Sequence, residues 1–230
     1  MLTILSLGGS IISPDSVDTE FLSSFEKMIR SYLATHQDAR LIIVCGGGAP
    51  ARVYQQAYRT LKSEKANHDQ MDWIGVMATR LNAQLVAAIF SDLSHDVPVV
   101  TDPAADDITF TGRILVAAGW KPGFSSDTDA VYLAEKFGAD KVINLSNIHH
   151  VYTADPKTDP NAVPLDTISW EDFRTMIGST WTPGRNLPFD PIASERASRL
   201  GLKVICADGR DTSNTLAILE GKAFNGTTIG

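Results

Sequence analysis

One alternation constrains this chain more than any other feature: short apolar runs rich in branched residues end in glycine, and a segment of helical period follows each. LTILSL runs into GGS at 8–10, RLIIVC into GGG at 46–48, and RILVAAG into the loop WKPGFSSD. The segments DTEFLSSFEKMIRSYLATH, PARVYQQAYRTL and TDAVYLAEKFG repeat their apolar residues every three or four positions, as an amphipathic helix does. Strands separated by helices pair in parallel, and the crossover helices cover both sheet faces. The expected fold is therefore α/β, built of βαβ units on a mostly parallel central sheet. Further strands are predicted at 97–101 (VPVVT), 141–146 (KVINLS) and 202–207 (LKVICA), and further helices at 169–178, 190–201 and 212–221. The stretch 72–93, free of proline, predicts a long, largely buried helix that also suits a subunit contact. Turn residues crowd 149–169 and predict a short hairpin.

With 230 residues and 43% hydrophobic content the chain can bury one large core. No repeat, low-complexity tract or long linker interrupts it, so residues 1–230 are expected to form a single domain with a lobe boundary near 145. Twenty basic residues stand against 27 acidic ones, giving a net charge of -7, and the basic ones are dispersed. A nucleic-acid partner, which requires a basic face, is disfavoured. Cys45 and Cys206 close apolar strand-like runs and read as buried thiols. No apolar run approaches the roughly 18 residues of a membrane span, and no basic leader precedes the first strand. A soluble cytoplasmic protein without membrane partners is expected.

Parallel strands deliver all three glycine loops to one carboxyl edge, where α/β proteins bind ligands. Glycine allows backbone N–H groups close to an oxyanion, and the next helix adds its unpaired N–H groups. Phosphate binding is the indicated chemistry, although neither GxxxxGK[ST] nor a GxGxxG after the first strand is present. The metalloprotease HExxH, the zinc CxxC and the nucleophile elbow GxSxG are missing as well. His149 and His150 are adjacent and read as surface residues that cannot chelate one ion together.

Seven segments in order, SLGGS (6–10), CGGGAPAR (45–52), DWIGVMATRLNA (72–83), GWKPGFSSDTDAV (119–131), NLSNIHHVYTADPKTDPNA (144–162), FDPIASERASRLG (189–201) and NGTTIG (225–230), resemble the amino-acid kinase superfamily. Within it the sequence is most similar to the archaeal-type branch of the uridylate (UMP) kinases. The resemblance implies transfer of the γ-phosphoryl group of ATP, brought as its Mg2+ complex, to UMP, with ATP held in the 146–230 lobe and the acceptor in the 1–145 lobe. It also implies a three-layer αβα sandwich and a homo-oligomer, commonly a hexamer built as a trimer of dimers. Carried over by position, Gly8, Gly9, Ser10 and Gly48 wrap the ATP phosphates, and Ser146, Asn147, Tyr152 and Asp155 surround its adenine and ribose. Gly47 and Arg52 lie beside the UMP phosphate, with Arg52 also reaching ATP. Asp72 accepts from the ribose hydroxyls, and the loop Trp120, Lys121, Pro122, Gly123, Phe124, Ser125, Ser126 folds over the uracil. Asp127 and Asp190 organise the catalytic centre, and no protein ligand to a metal is implied.

Plainer readings stand beside these roles: a helix N-cap for Asp72, Asp127 and Asp190, a solvated loop lysine for Lys121 and a core tyrosine for Tyr152. Asp129 reads as a first-turn acid that complements the helix dipole. Two positions depart from the family pattern, because Ser6 and Glu195 stand where lysines are usual, the latter beside Arg196. Arg52, magnesium and Lys121, the candidate substitute, then remain to supply positive charge. A non-catalytic nucleotide- or oxyanion-binding protein on the same fold (molybdate or tungstate being the oxyanion), or another phosphotransferase of the superfamily, are the alternatives.

Overall fold

The computed structural model describes residues 2–95, 97–156, 158–178 and 187–230. In chain order the elements are β1 (Leu2–Leu7), α1 (Gly9–Ile12), α2 (Thr19–Thr35), β2 (Arg40–Cys45), α3 (Gly48–Lys62), α4 (His68–Ile89), α5 (Ser91–Ser94), β3 (Ile114–Ala117) and α6 (Ser126–Phe137). They continue with β4 (Lys141–Ser146), β5 (Val151–Tyr152), β6 (Pro164–Leu165), β7 (Thr167–Ile168), α7 (Trp170–Ile177), α8 (Pro191–Leu200), β8 (Lys203–Asp208), α9 (Thr212–Leu219) and β9 (Thr227–Ile229). Seven strands form one sheet in the order β3-β2-β1-β4-β8-β9-β7. The first five run parallel, and β9 is antiparallel to β8 but parallel to β7.

Side chains alternate across the strands, so each strand feeds two cores. Leu5, Leu7, Leu41, Ile43 and Cys45 face one layer, where Phe25 and Ile29 of α2, Val86 of α4 and Ile218 of α9 cover them. Ile4, Ile42, Val44, Val142 and Val204 face the other, under Val131 and Leu133 of α6, Phe173 of α7 and Ala197 of α8. Burial on both faces explains why these strands read as continuous apolar runs. Cys45 and Cys206 are buried free thiols on β2 and β8.

Two expectations change, and the short hairpin is borne out. The 97–101 run forms no strand; Val100 alone bridges to Ala117, through Val100 N–H to Val116 O and Ala118 N–H to Val100 O, both 2.9 Å. Pro98 has no N–H to offer a ladder, which limits the run to that bridge. The long helix starts earlier, because Asn67 caps it by accepting from Gln70 N–H at 3.1 Å. Asp72 therefore lies inside α4 and caps nothing. The 149–169 hairpin is a two-residue antiparallel pair, Val151 with Leu165 and Tyr152 with Pro164, after which β7 joins the main sheet.

Candidate active site

The glycine turns after β1 and β2 pack backbone against backbone. Gly46 N–H donates to Leu7 O at 2.9 Å, Gly8 N–H to Leu145 O at 2.8 Å, and Ala49 N–H to Ser13 O at 2.8 Å. A Cβ on Gly9 would run into the backbone of Gly46, Gly47 and Gly48. Gly48 adopts φ +66°, and a Cβ there would meet Gly9 O and Ser13 O. Both turns thus need a side-chain-free seam, a backbone surface suited to phosphate oxygens. Asn82 of α4, buried, holds the second turn by donating Nδ2–H to Gly46 O at 2.8 Å and Gly47 O at 3.1 Å.

Beside this seam lies a cavity of about 210 Å³ lined by Gly47, Gly48, Asp72, Phe124, Ser125 and Ser126, with Gln55, Val76 and Thr79 among the remaining walls. Asp72 Oδ2 accepts from Gly123 N–H at 3.1 Å, joining α4 to the loop before α6. Trp120 and Phe124 of that loop have tilted rings with centroids 4.7 Å apart, and Tyr132 of α6 lies 5.8 Å from Trp120. Lys121 is an exposed loop lysine whose Nζ lies 3.7 Å from the Trp120 ring centroid. Pro122 follows it, and Gly123 turns the chain at φ +82°. Ser125 caps α6, its Oγ accepting from Thr128 N–H at 3.2 Å, which removes that role from Asp127. A larger, shallow depression of about 580 Å³ lies at the amino end of β8, near Lys203, Ser169 and Gly230. It contains none of the three glycine loops, and the smaller cavity is the candidate site.

A carboxylate pair sits under the seam. Asp127 Oδ1 accepts from Ser6 Oγ–H at 3.3 Å, and Asp127 Oδ2 from Asp190 N–H at 3.2 Å. Asp190 is buried and caps α8, its Oδ1 accepting from Ala193 N–H at 2.8 Å and Thr128 Oγ–H at 3.3 Å. Asp190 is thus a cap and a neighbour of Asp127 at once. Burial pushes the Asp127 carboxyl up to about 7, the Asp190 charge adds to it, and the bonds from Asp190 N–H and Ser6 pull the other way. Asp129 lies in the first turn of α6 as expected, and it is fully buried there.

Cations ring the same edge. Arg52 Nη2 donates to Pro14 O at 2.8 Å, beside the first glycine turn. Arg210, absent from the expected set, donates from Nη2 to Ser10 O at 3.4 Å, while Asp208 Oδ1 accepts its backbone N–H at 2.9 Å. Arg196 is tied to α6: its Nε and Nη2 lie 2.7 and 2.5 Å from Glu135 Oε2, and its guanidinium 3.8 Å from the Tyr132 ring centroid. Glu195 is exposed and pairs with Arg199 at 3.9 Å. Ser146, Asn147, Tyr152 and Asp155 lie on the chain leaving β4; Ser146 O accepts from Gly209 N–H at 2.9 Å, and His149 reaches Asp208 at 3.6 Å. His150 is half-buried, its Nε2 3.8 Å from Asp166. The sequence signal for Thr79 and Asn82 was two polar residues three apart on an apolar helix, one face aimed at two loops. Arg210 gave none, because a basic residue after a strand is ordinary.

Comparison with known proteins agrees with this architecture. Residues 1–208 match the amino acid kinase family model. The uridylate kinase of Thermoplasma volcanium is 36% identical over 98% of this chain and 96% of its own length. That of Archaeoglobus fulgidus is 34% identical with both chains fully covered. Its crystal structure superposes at a TM-score of 0.83 with 33% identity, again over the whole of both chains. The UMP kinase of Bacillus anthracis shares the fold at a TM-score of 0.77, with 17% identity over 100% of this chain and 95% of that one. With its glycine seam, its mostly parallel sheet and these full-length matches, the chain belongs to the amino acid kinase family.

Proposed function

We propose that the chain transfers the γ-phosphoryl group of ATP to UMP, giving UDP and ADP. One observation carries the reading: Gly47, Asp72, Phe124, Ser125 and Ser126, drawn from three separate segments, line a single cavity beside the glycine seam. In this reading UMP occupies the cavity, with its ribose hydroxyls donating to the Asp72 carboxylate and its base under the Trp120–Ser126 loop. Its phosphate lies toward Gly47 and Arg52. ATP lies along Gly8–Ser10 with its terminal phosphate toward Gly48, and its base and ribose lie toward Ser146, Asn147, Tyr152 and Asp155.

A UMP phosphate oxygen then bonds to the γ-phosphorus as the bond to the β–γ bridging oxygen breaks, and no proton need move. Positioning and charge neutralisation do the catalytic work. The charge comes from Arg52 and, at the donor turn, from Arg210, with Lys121 held over the acceptor loop. Asp127 and Asp190 order the ends of α6 and α8 below the reacting groups. Among the described residues no three His, Cys, Asp or Glu side chains cluster as a metal cage. Magnesium arriving with ATP would be held by its phosphates and water and would neutralise charge on the phosphates.

The same reading extends to assembly. Trp73, Met77, Leu81 and Leu85 recur every four residues on α4 and are exposed, with Val53, Tyr54 and Leu61 exposed on neighbouring α3. An apolar face of this kind fits a second copy across a two-fold axis, and three such pairs a hexamer.

The direct test incubates purified protein with Mg-ATP and, in parallel, UMP, CMP, AMP, isopentenyl phosphate and acetylglutamate. UDP should form; turnover of another acceptor without UDP refutes the reading. Asp72→Ala should raise KM for UMP on the order of tenfold or more, through the lost charged hydrogen bonds, and leave KM for ATP near its parent value. It should also abolish the thermal shift that UMP gives the parent.

A further inference from the structure

Asp129 is 0% exposed on α6, among the buried Ala130, Val131 and Leu133. An acid without an ion-pair partner at such a position is costly, and a helix packed on a sheet does not need one there. Its Oδ2 accepts from Trp120 N–H at 3.2 Å, while Oδ1 has no hydrogen-bond partner among the described residues. Two neighbouring residues of α4 hold the same short stretch. Thr79 Oγ1 accepts from Gly119 N–H at 2.7 Å. Arg80 donates from Nε to Gly119 O at 3.3 Å and from Nη2 to Trp120 O at 2.9 Å. All four backbone polar groups of Gly119 and Trp120 are therefore engaged by side chains, at the root of the loop that reaches Asp72 through Gly123.

We propose that Asp129 is a positioning residue for the acceptor: it fixes the root of the Trp120–Ser126 loop through Trp120 N–H, and its ionised form is the tighter clamp. The proposal rests on UMP occupying the cavity beneath that loop. The charged groups facing Asp129 are Asp127 on its own helix, Asp102 from the segment before β3, and Arg80 on α4. Burial pushes its carboxyl up to about 7, opposed by the Trp120 N–H bond and Arg80 and reinforced by Asp127 and Asp102. A carboxylate accepts more strongly than a carboxylic acid, so the clamp tightens as the proton leaves near neutral pH. Asn at this position keeps an acceptor for Trp120 N–H but cannot titrate; Ala keeps neither.

The test measures KM for UMP and for ATP in the parent, Asp129→Asn and Asp129→Ala at about pH 6 and about pH 8, to either side of the Asp129 transition. Amide hydrogen-exchange protection of residues 119–126 is followed in the same ligand-free proteins. UMP titrates identically in every assay, so the comparison between variants isolates the residue. Lowering the pH should raise KM for UMP about threefold more in the parent than in Asp129→Asn, the size of one weakened hydrogen bond. Asp129→Ala should raise KM for UMP on the order of tenfold with KM for ATP unchanged. Protection of 119–126 should fall in Asp129→Ala and lose its pH dependence in Asp129→Asn. An Asp129→Asn pH profile matching the parent, equal shifts in both KM values, or unchanged protection overturns the proposal. If the parent forms no UDP, the acceptor reading falls, and the exchange data alone decide whether Asp129 clamps the loop.

Discussion

At the scale of single residues, the site turns on where its carboxylates are placed. Asp72 and Asp127 were assigned through the family resemblance with a helix N-cap as the plainer reading of each, yet Asn67 and Ser125 do the capping there. Freed from that duty, both acids point at other segments. Asp129 was not legible: an acid in a first helical turn complements the dipole whichever way it faces, and only packing of α6 on the sheet turns it inward. The raised Asp127 carboxyl has a measurable consequence for stability. Its pKa lies above the unfolded value of 3.8, so the stability it contributes is complete below that value and is lost as pH rises through about 7. Asp127→Asn should therefore gain on the parent between about pH 5 and about pH 8 by roughly 1–3 kcal/mol, below the limit set by the full shift because Asp127 is only part-buried. Melting curves across that range check it, and a constant difference between the two proteins would contradict the assignment. Asp129 shifts the same way, so some slope remains in the variant.

At the scale of elements, the strand–turn–helix units were readable because two-sided burial writes itself as unbroken apolar runs and turns packed backbone to backbone leave room only for glycine. The third turn was partly readable. Its hydroxyls and carboxylates were visible, but its anchoring by Thr79, Arg80 and Asp129 required knowing that α4 and α6 lie on either side of it. The 97–101 run misled because β-branched composition says nothing about a missing donor at Pro98. The seam between the first two turns yields its own prediction. Gly9→Ala places a methyl into the backbone of Gly46–Gly48, where no flexible side chain can move aside. Overpacking of this kind costs about 1–3 kcal/mol, and shifted N–H groups also lose their aim at phosphate. Calorimetry should show a lowered melting temperature, and steady-state assays a kcat reduced on the order of a hundredfold. Gly123→Ala, where a Cβ meets nothing within 4 Å, carries only the cost of its φ of +82° and should be much milder.

For the whole molecule, the mostly parallel sheet and its common carboxyl edge followed from the order of apolar runs, because parallel strands with right-handed crossovers leave few other topologies, while the three layers came with the family resemblance. The exposed face of α3 and α4 was half legible: the helix read as suited to a subunit contact, but which residues stay outside became clear only once Val86 and Ala83 were seen to turn inward. Leu81→Asp at the centre of that face should give a species of lower mass in light scattering, with the sheet's circular dichroism retained. An unchanged mass would show that the face is not an interface. Sheet order also matters during synthesis. Because β9 lies between β8 and β7, residues 167–168 have no partner strand until residues 227–229 leave the ribosome. A chain stalled before that point carries an open edge on β8 and an unpaired Ile168, the kind of surface that chaperones and neighbouring nascent chains capture.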